Sequence, residues 1–258
     1  MNPRTFLING LIAGFLAGIF AFGVAHQIGE PYVNQSIAVE EAVSPHEHAA
    51  ATPAAHSHGE GDAVVGREKQ STLGLLTATL AIGTAFGGIV GIASAFAVGR
   101  LGRLRPAAST AVVAAVGFTT VTLAPWAKYP PNPPAVGRAE SLNSRTADYF
   151  TFQSLAVILG IAAVVLAARL ARKHDGWFAT VVPALGWLII ITIIGLILPT
   201  VNEVPDTFPG NTLWGFRLSS IATQATLWGA IGIILSGLMA RIYRAEESRR
   251  SLAESIRS

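Results

Sequence analysis

The chain has 258 residues, of which 51% are hydrophobic and 13% are charged. Soluble domains carry about a quarter charged residues, so this composition excludes an ordinary soluble domain and indicates a membrane protein. The net charge of +3 does not indicate nucleic-acid binding, because most lysines and arginines lie in short segments beside apolar spans, where membrane orientation explains them.

Six apolar segments have about the 20 residues that a helix needs to cross the hydrocarbon core. We predict a single-domain, all-α integral membrane protein, a polytopic bundle of about six transmembrane helices. The first segment also has features of a signal peptide, and the third, rich in Ala and Thr, is the least hydrophobic. The predicted spans are residues 6–25, 73–98, 107–126, 149–170, 178–198 and 214–240.

Glycines recur every four residues in the first two spans. This spacing predicts a smooth groove on one face of each helix, where another backbone approaches closely, although glycine is also simply common in membrane helices. A cleaved signal peptide has no use for such a groove, which favours retention of the first span. The glycines are Gly10, Gly14 and Gly18 in the first span and Gly83, Gly87 and Gly91 in the second.

Positive charge predicts the orientation. Twelve of the 18 lysines and arginines lie in the amino terminus, the second and fourth connections and the basic tail at residues 241–258. Lysine and arginine concentrate on the cytoplasmic side of a membrane. We therefore expect both termini in the cytoplasm of a multi-pass protein of the cell's inner (cytoplasmic) membrane, with the first, third and fifth connections facing outward.

The first connection, residues 27–72, is predicted to be a hydrophilic, extracytoplasmic loop that carries four of the six histidines among acidic residues. Clusters of His with Glu or Asp in a flexible loop indicate metal capture. We expect weak, multidentate binding rather than structural zinc, because the ligands lack rigid spacing and the chain has no cysteine thiolate. An ordinary solvated loop is the alternative. The loop histidines are His46, His48, His56 and His58.

His26 and Glu30 stand four residues apart at the outer end of the first span. If the helix persists, both point to one face and form a plausible half-site for a divalent metal such as Co, Ni or Zn. The alternative is that Glu30 caps the loop or pairs with an arginine, while His26 merely sits in the interface.

Further charged residues lie at the outer helix ends. Charges near the membrane edge are costly unless they are paired or hydrated, so we expect Glu30 and Glu203 to be the partners of Arg145 and Arg217. A structural ion-pair network is one interpretation. A gate or substrate path that uses these carboxylates, with Lys128 at the start of the outer proline-rich stretch, is the other.

Six motifs along nearly the whole chain resemble the CbtA family of predicted cobalt transporter subunits: residues 29–31, 99–102, 128–137, 145–150, 198–205 and 213–218. The resemblance implies cobalt uptake, often associated with cobalamin biosynthesis, and a small single-span, His-bearing partner, CbtB. The family is usually described with about five spans, so five remains the alternative to six.

We therefore interpret the chain as a transporter subunit for a divalent cation, cobalt first, with no firmly bound cofactor and no enzymatic activity. The alternative is a membrane-bound metal sensor or metallochaperone without transport of its own. A haem enzyme would want histidines inside two spans, and only His26 lies near one. No glycine-rich phosphate loop is present, so an ATP-driven step would come from another chain.

Overall fold

The computed structural model describes residues 2–50, 66–102 and 104–256, with residues 43–50 and 70 described by their backbone alone. Among these residues all regular structure is helical. Six of the described helices are long and apolar enough to cross a membrane. The predicted fold class, an all-α membrane bundle of about six spans, is therefore confirmed.

The described part of the chain contains α-helices interrupted by π-helical turns, in which each N–H bonds the carbonyl five residues back. Helices that follow one another without a break form single spans, so α1–π1–α2, α3–π2–α4 and α5–π3–α6 are each continuous. The elements are α1 (Pro3–Val24), π1 (Ala25–Gly29), α2 (Glu30–Ala50), α3 (Arg67–Lys69), π2 (Gln70–Gly74), α4 (Leu75–Ala97), α5 (Pro106–Gly117), π3 (Phe118–Leu123), α6 (Ala124–Lys128), α7 (Leu142–Leu170), α8 (Gly176–Ile197) and α9 (Gly210–Ser255).

The first connection is more helical than the sequence predicted. Residues 27–50 and 67–72 were expected in a loop, and that expectation is wrong for them, because both belong to helices that prolong the first two spans. Pro31 lies inside this continuous helix, where the wider π-helical turn that precedes it accommodates the proline ring. The residues after it are mostly helix-compatible, with several Ala and Glu.

The closest helix packing is between α1 and α4, along the glycines at four-residue spacing. A Cβ atom added at Gly18 would lie 2.6 Å from the carbonyl oxygen of Thr79, and one added at Gly87 would lie 2.6 Å from Gly14 Cα. Real side chains do not approach backbone so closely. Only glycine allows the two backbones to touch over three turns, as in other small-residue membrane interfaces.

Helix α9 packs against both α1 and the α5–π3–α6 helix. Its side chains Ile231, Leu235 and Met239 are fully buried at the centre of the main apolar cluster. Helices α7 and α8 form a hairpin with a smaller core of their own around Phe152 and Ile191. The main bundle and this hairpin meet mainly at π3 and α6.

Because successive spans alternate in direction, one end of the bundle collects the end of the first span, the start of the second, and the connections around Lys128, Arg145 and Glu203. We call it the polar end. Most of the charged and hydrogen-bonded side chains that the sequence singled out lie here.

Candidate functional site at the polar end

Glu30 forms an ion pair with Arg67, across the gap between the first and second spans. The side chain of Glu30 is only 13% exposed, whereas that of Arg67 is 39% exposed. Arg67 also donates two hydrogen bonds to Asn34 Oδ1, from Nε at 3.2 Å and from Nη2 at 3.0 Å. The carboxylate is thus held by a cation that reaches it from the solvent side. The expectation that Glu30 pairs with Arg145 or Arg217 is wrong, because Arg67 lies nearer along the packed spans.

His26 lies in π1, half-buried, and its ring stacks on Phe22 with centroids 5.4 Å apart. Its Nδ1 lies 3.0 Å from the carbonyl oxygen of Ser71 in π2. A carbonyl oxygen can only accept, so Nδ1 is the donor in this contact, and in the neutral ring Nε2 then carries the lone pair. A backbone carbonyl on the second ring nitrogen is the usual support of a metal-binding histidine. The arrangement therefore suits His26 as a nitrogen ligand through Nε2.

Arg145 and Glu203 form the second ion pair, with 3.3 Å between Nη1 and Oε2. It is one of the pairings that the sequence left open between two carboxylates, Glu30 and Glu203, and two arginines, Arg145 and Arg217. A hydrogen bond from the Ser141 side chain, another from the Arg138 backbone N–H at 2.8 Å, and the charges of Arg145 and Arg138 hold the pKa of Glu203 below its ordinary value. Glu203 therefore stays ionised when the pH falls moderately.

Gly137 makes this second pair possible. Its φ of +128° lies in a region that other residues rarely adopt. A Cβ at this position would also lie 2.8 Å from Nη1 of Arg145. The guanidinium packs directly on this backbone and donates from Nη2 to the Arg138 carbonyl at 3.1 Å.

Lys128 and Tyr129 tie the end of α6 to the end of α8. Lys128 Nζ donates to the Leu198 carbonyl at 3.0 Å, and the Tyr129 hydroxyl donates to the Pro199 carbonyl at 2.9 Å. Burial, followed by the nearby Asp148 carboxylate, raises the pKa of Tyr129, so its hydroxyl remains a neutral donor. Both contacts satisfy carbonyls at a helix end. Lys128 thereby has a structural role at the α8 terminus.

Arg217 takes part in no ion pair in the described part of the chain. Its Nη2 donates to Asn132 Oδ1 at 3.0 Å, and its guanidinium lies 5.9 Å from the centre of the Trp214 ring. Its Nε is buried and has no hydrogen-bond partner. The expected carboxylate partner is absent because Glu30 and Glu203 are bound to other arginines.

The expected metal ligands are only partly gathered. Across residues 2–42, 66–102 and 104–256, no three His, Asp or Glu side chains form a metal-binding group. His26 and Glu30 are near neighbours on the first span, whereas Glu203 is engaged with Arg145. His46, His48, His56 and His58 lie outside the residues whose side chains are described.

Sequence reasoning missed Arg67, Asn132 and the three π-helical turns. In the sequence, Arg67 enters only the count of positive charges that predicts the orientation, and Asn132 is one residue of the outer proline-rich stretch. A signal for two of the π-helical turns was available, since Pro31 and Pro125 interrupt otherwise helical runs immediately after π1 and π3. A proline ring inside a helix clashes with the carbonyl four residues earlier, and a wider turn relieves that clash.

Six membrane-capable helices define a multi-pass membrane protein, and its paired charges lie at one end of the bundle. The model of the family described as "Probable cobalt transporter subunit (CbtA)" matches residues 3–240. The chain belongs to this family, and the resemblance stated from its motifs is confirmed. No curated protein and no solved structure matches the chain.

Proposed function

We propose that the chain is the membrane subunit that takes up a divalent metal ion from outside the cell, and that this ion is cobalt. The observation that carries the proposal is the environment of His26. Its Nε2 is left free for a metal, and the Glu30 carboxylate stands on the same span with an exposed arginine as its only charged partner among the described residues. A nitrogen and an oxygen donor of this kind suit Co, Ni or Zn.

The charge distribution supports the direction of transport. The polar end coincides with the connections that hold the smaller share of lysines and arginines, so it faces outward in the inner membrane, with both termini in the cytoplasm. The four loop histidines then act as a collector of metal outside, and His26 with Glu30 receives it. The arriving cation competes with Arg67 for the carboxylate, because like charges that are close together repel each other.

The description of the family as a subunit supports a partner. We assign that role to a small single-span, His-bearing protein like CbtB, and we connect the imported cobalt with cobalamin biosynthesis. These assignments follow from the family resemblance.

Uptake of radioactive cobalt by cells that express the chain, with and without the partner, tests the proposal. Faster accumulation than in control cells is expected, and competition by nickel and zinc establishes the selectivity. Cobalt binding by the purified protein without any accumulation, even with the partner present, would instead identify a sensor or metallochaperone.

A further inference from the structure

Two of the π-helical turns end immediately before a proline. In π1 the N–H of Glu30 bonds the Ala25 carbonyl five residues back, and Pro31 follows. In π3 the N–H of Ala124 bonds the Thr119 carbonyl, and Pro125 follows. A π-helical turn followed by a proline therefore occurs in both the first and the third spans.

Each proline leaves a carbonyl without its helical donor. The α-helical donor to the Val121 carbonyl would be residue 125, and the donor to the Gln27 carbonyl would be residue 31, but proline has no N–H. The Val121 carbonyl instead accepts a hydrogen bond from Gln153 Nε2 at 3.2 Å. Non-helical backbone at membrane depth is tolerated where protein or a polar cavity satisfies it.

The contacts between α9 and the α5–π3–α6 helix fix an antiparallel register. Trp228 faces Gly117, and Gln224 lies one turn earlier on the same face of α9, so Gln224 is level with Val121. The contacts are Gly232 against Ala114, Trp228 against Gly117, and the Trp126 indole N–H donating to the Arg217 carbonyl at 3.1 Å.

A second register places π1 beside the same part of α9. Helix α9 also runs antiparallel to α1–π1–α2, so the Gln27 carbonyl falls level with residues 220–221. Residues 219–224 of α9 thus lie between the two proline-terminated turns. The contacts are the Thr212 hydroxyl donating to Gln35 Oε1 at 3.0 Å, Tyr32 against Gly215, and Gly29 near Ser219.

Gln224 has an unsatisfied oxygen at this level. Its Oε1 is buried and has no hydrogen-bond partner. A buried amide oxygen without a donor is costly, so its presence calls for an explanation. Because the oxygen can only accept, its natural partners are a donor group or a cation.

We infer that Gln224 Oε1, level with the two proline-terminated π-helical turns, is an oxygen ligand of the divalent cation at an inner site of the bundle. The inference rests on the proposed function for the identity of the cation. Oxygen donors of amides and backbone carbonyls replace part of its water shell there. The site lies about two helical turns deeper than Arg217, since seven residues rise about 10 Å.

A site made of neutral oxygen donors suits short-lived binding of the cation. A site without a carboxylate at this level binds a divalent cation weakly enough to release it, which conduction requires. His26 and Glu30 at the polar end then provide the stronger first site, and Gln224 the weaker second one.

The test uses the purified full-length protein in which His26 and the four loop histidines are replaced by alanine, so that neither the stronger outer site nor the loop masks metal binding at the inner site. Its melting temperature is followed during titration with Co²⁺. The variants are Gln224→Leu, Gln224→Glu and, as a matched control, Thr226→Val. The hydroxyl of Thr226 is already satisfied by the Ala222 carbonyl at 2.9 Å.

Gln224→Leu is expected to raise the Co²⁺ concentration at half-maximal stabilisation by about tenfold or more, as loss of support at metal sites typically does. Gln224→Glu is expected to lower it, and Thr226→Val to leave it unchanged. Without metal, Gln224→Leu should be at least as stable as its parent, because an unsatisfied buried oxygen is removed. The site would be overturned if Gln224→Leu left the half-maximal Co²⁺ concentration unchanged, or if Co²⁺ did not stabilise the parent. A lower melting temperature of Gln224→Leu than of its parent without metal would also overturn it.

Uptake by cells separates this inference from the proposed function. Cobalt accumulation that is equally fast in the wild type and in Gln224→Leu, with the same half-saturation, overturns the site and leaves the transport proposal standing. Binding that depends on Gln224, without accumulation in any cell, supports the site and refutes transport.

Discussion

Replacement of Gly14 by alanine tests whether contact between the backbones of α1 and α4 holds the bundle together. The added Cβ would lie 2.8 Å from the Gly83 carbonyl carbon and 2.9 Å from Gly87 Cα, and closer still to the Gly83 oxygen. Carbon atoms in contact prefer about 3.5–4.0 Å, so the two helices must separate by about 1 Å. Neither neighbour can rotate away, because both belong to helix backbones.

The expected cost is that of overpacking, about 1–3 kcal/mol. Gly23 provides the matched control, since it lies on the same helix and a Cβ there would meet nothing within 4 Å. Gly23→Ala should stabilise the protein by about 0.5–1 kcal/mol, the usual gain of alanine over glycine in a helix.

Thermal unfolding in one detergent measures both variants. At about 2–4 °C per kcal/mol for a chain of this size, the two melting temperatures should move in opposite directions and differ by several degrees. Equal shifts in the same direction would refute the view that these glycines act through helix contact.

Three further outcomes are expected. Glu203→Gln should lower the melting temperature at neutral pH. Folding lowers the pKa of Glu203, so the ionised carboxylate stabilises the folded protein at pH values above the unfolded pKa. This stabilisation disappears as the pH falls through the folded pKa. The difference between wild type and variant should therefore vanish in acid, and a difference that is constant with pH would contradict the ion pair. His26→Ala should weaken Co²⁺ binding by the purified protein, whereas Phe22→Leu, which removes only the stacked ring, should weaken it less; equal effects would indicate a packing role for His26. Replacement of the four loop histidines by alanine should slow cobalt uptake at low metal and spare it at high metal, and complete loss at every concentration would place the loop in the transport path itself.

Hydropathy predicted the six spans because a segment crosses a lipid bilayer when its own residues are apolar over about 20 positions. Contacts with distant segments have little influence on that property. The glycine spacing predicted a groove because residues four apart lie on the same face of a helix, whatever that helix packs against. The pairing of Arg145 with Glu203 was accessible because both residues lie in connections on one side and few opposite charges compete there.

The remaining features depend on contacts between distant segments. The sequence offers Arg145 and Arg217 as partners of Glu30, but the packing of the first two spans selects Arg67, which the sequence alone places in a loop. Gln224 stands seven residues after Arg217, which places both on one face of a helix, and the sequence alone says no more about it. Its position level with Val121 depends on the register of two helices about a hundred residues apart in the chain.

Helix α9 runs without interruption for 46 residues, from the polar end to the basic tail. At 1.5 Å per residue it is about 69 Å long, more than twice the thickness of the hydrocarbon core. Its buried residues run from Thr212 to Met239, so the bundle holds the helix over that whole stretch. The part after Met239 extends the helix about 24 Å beyond its last buried residue.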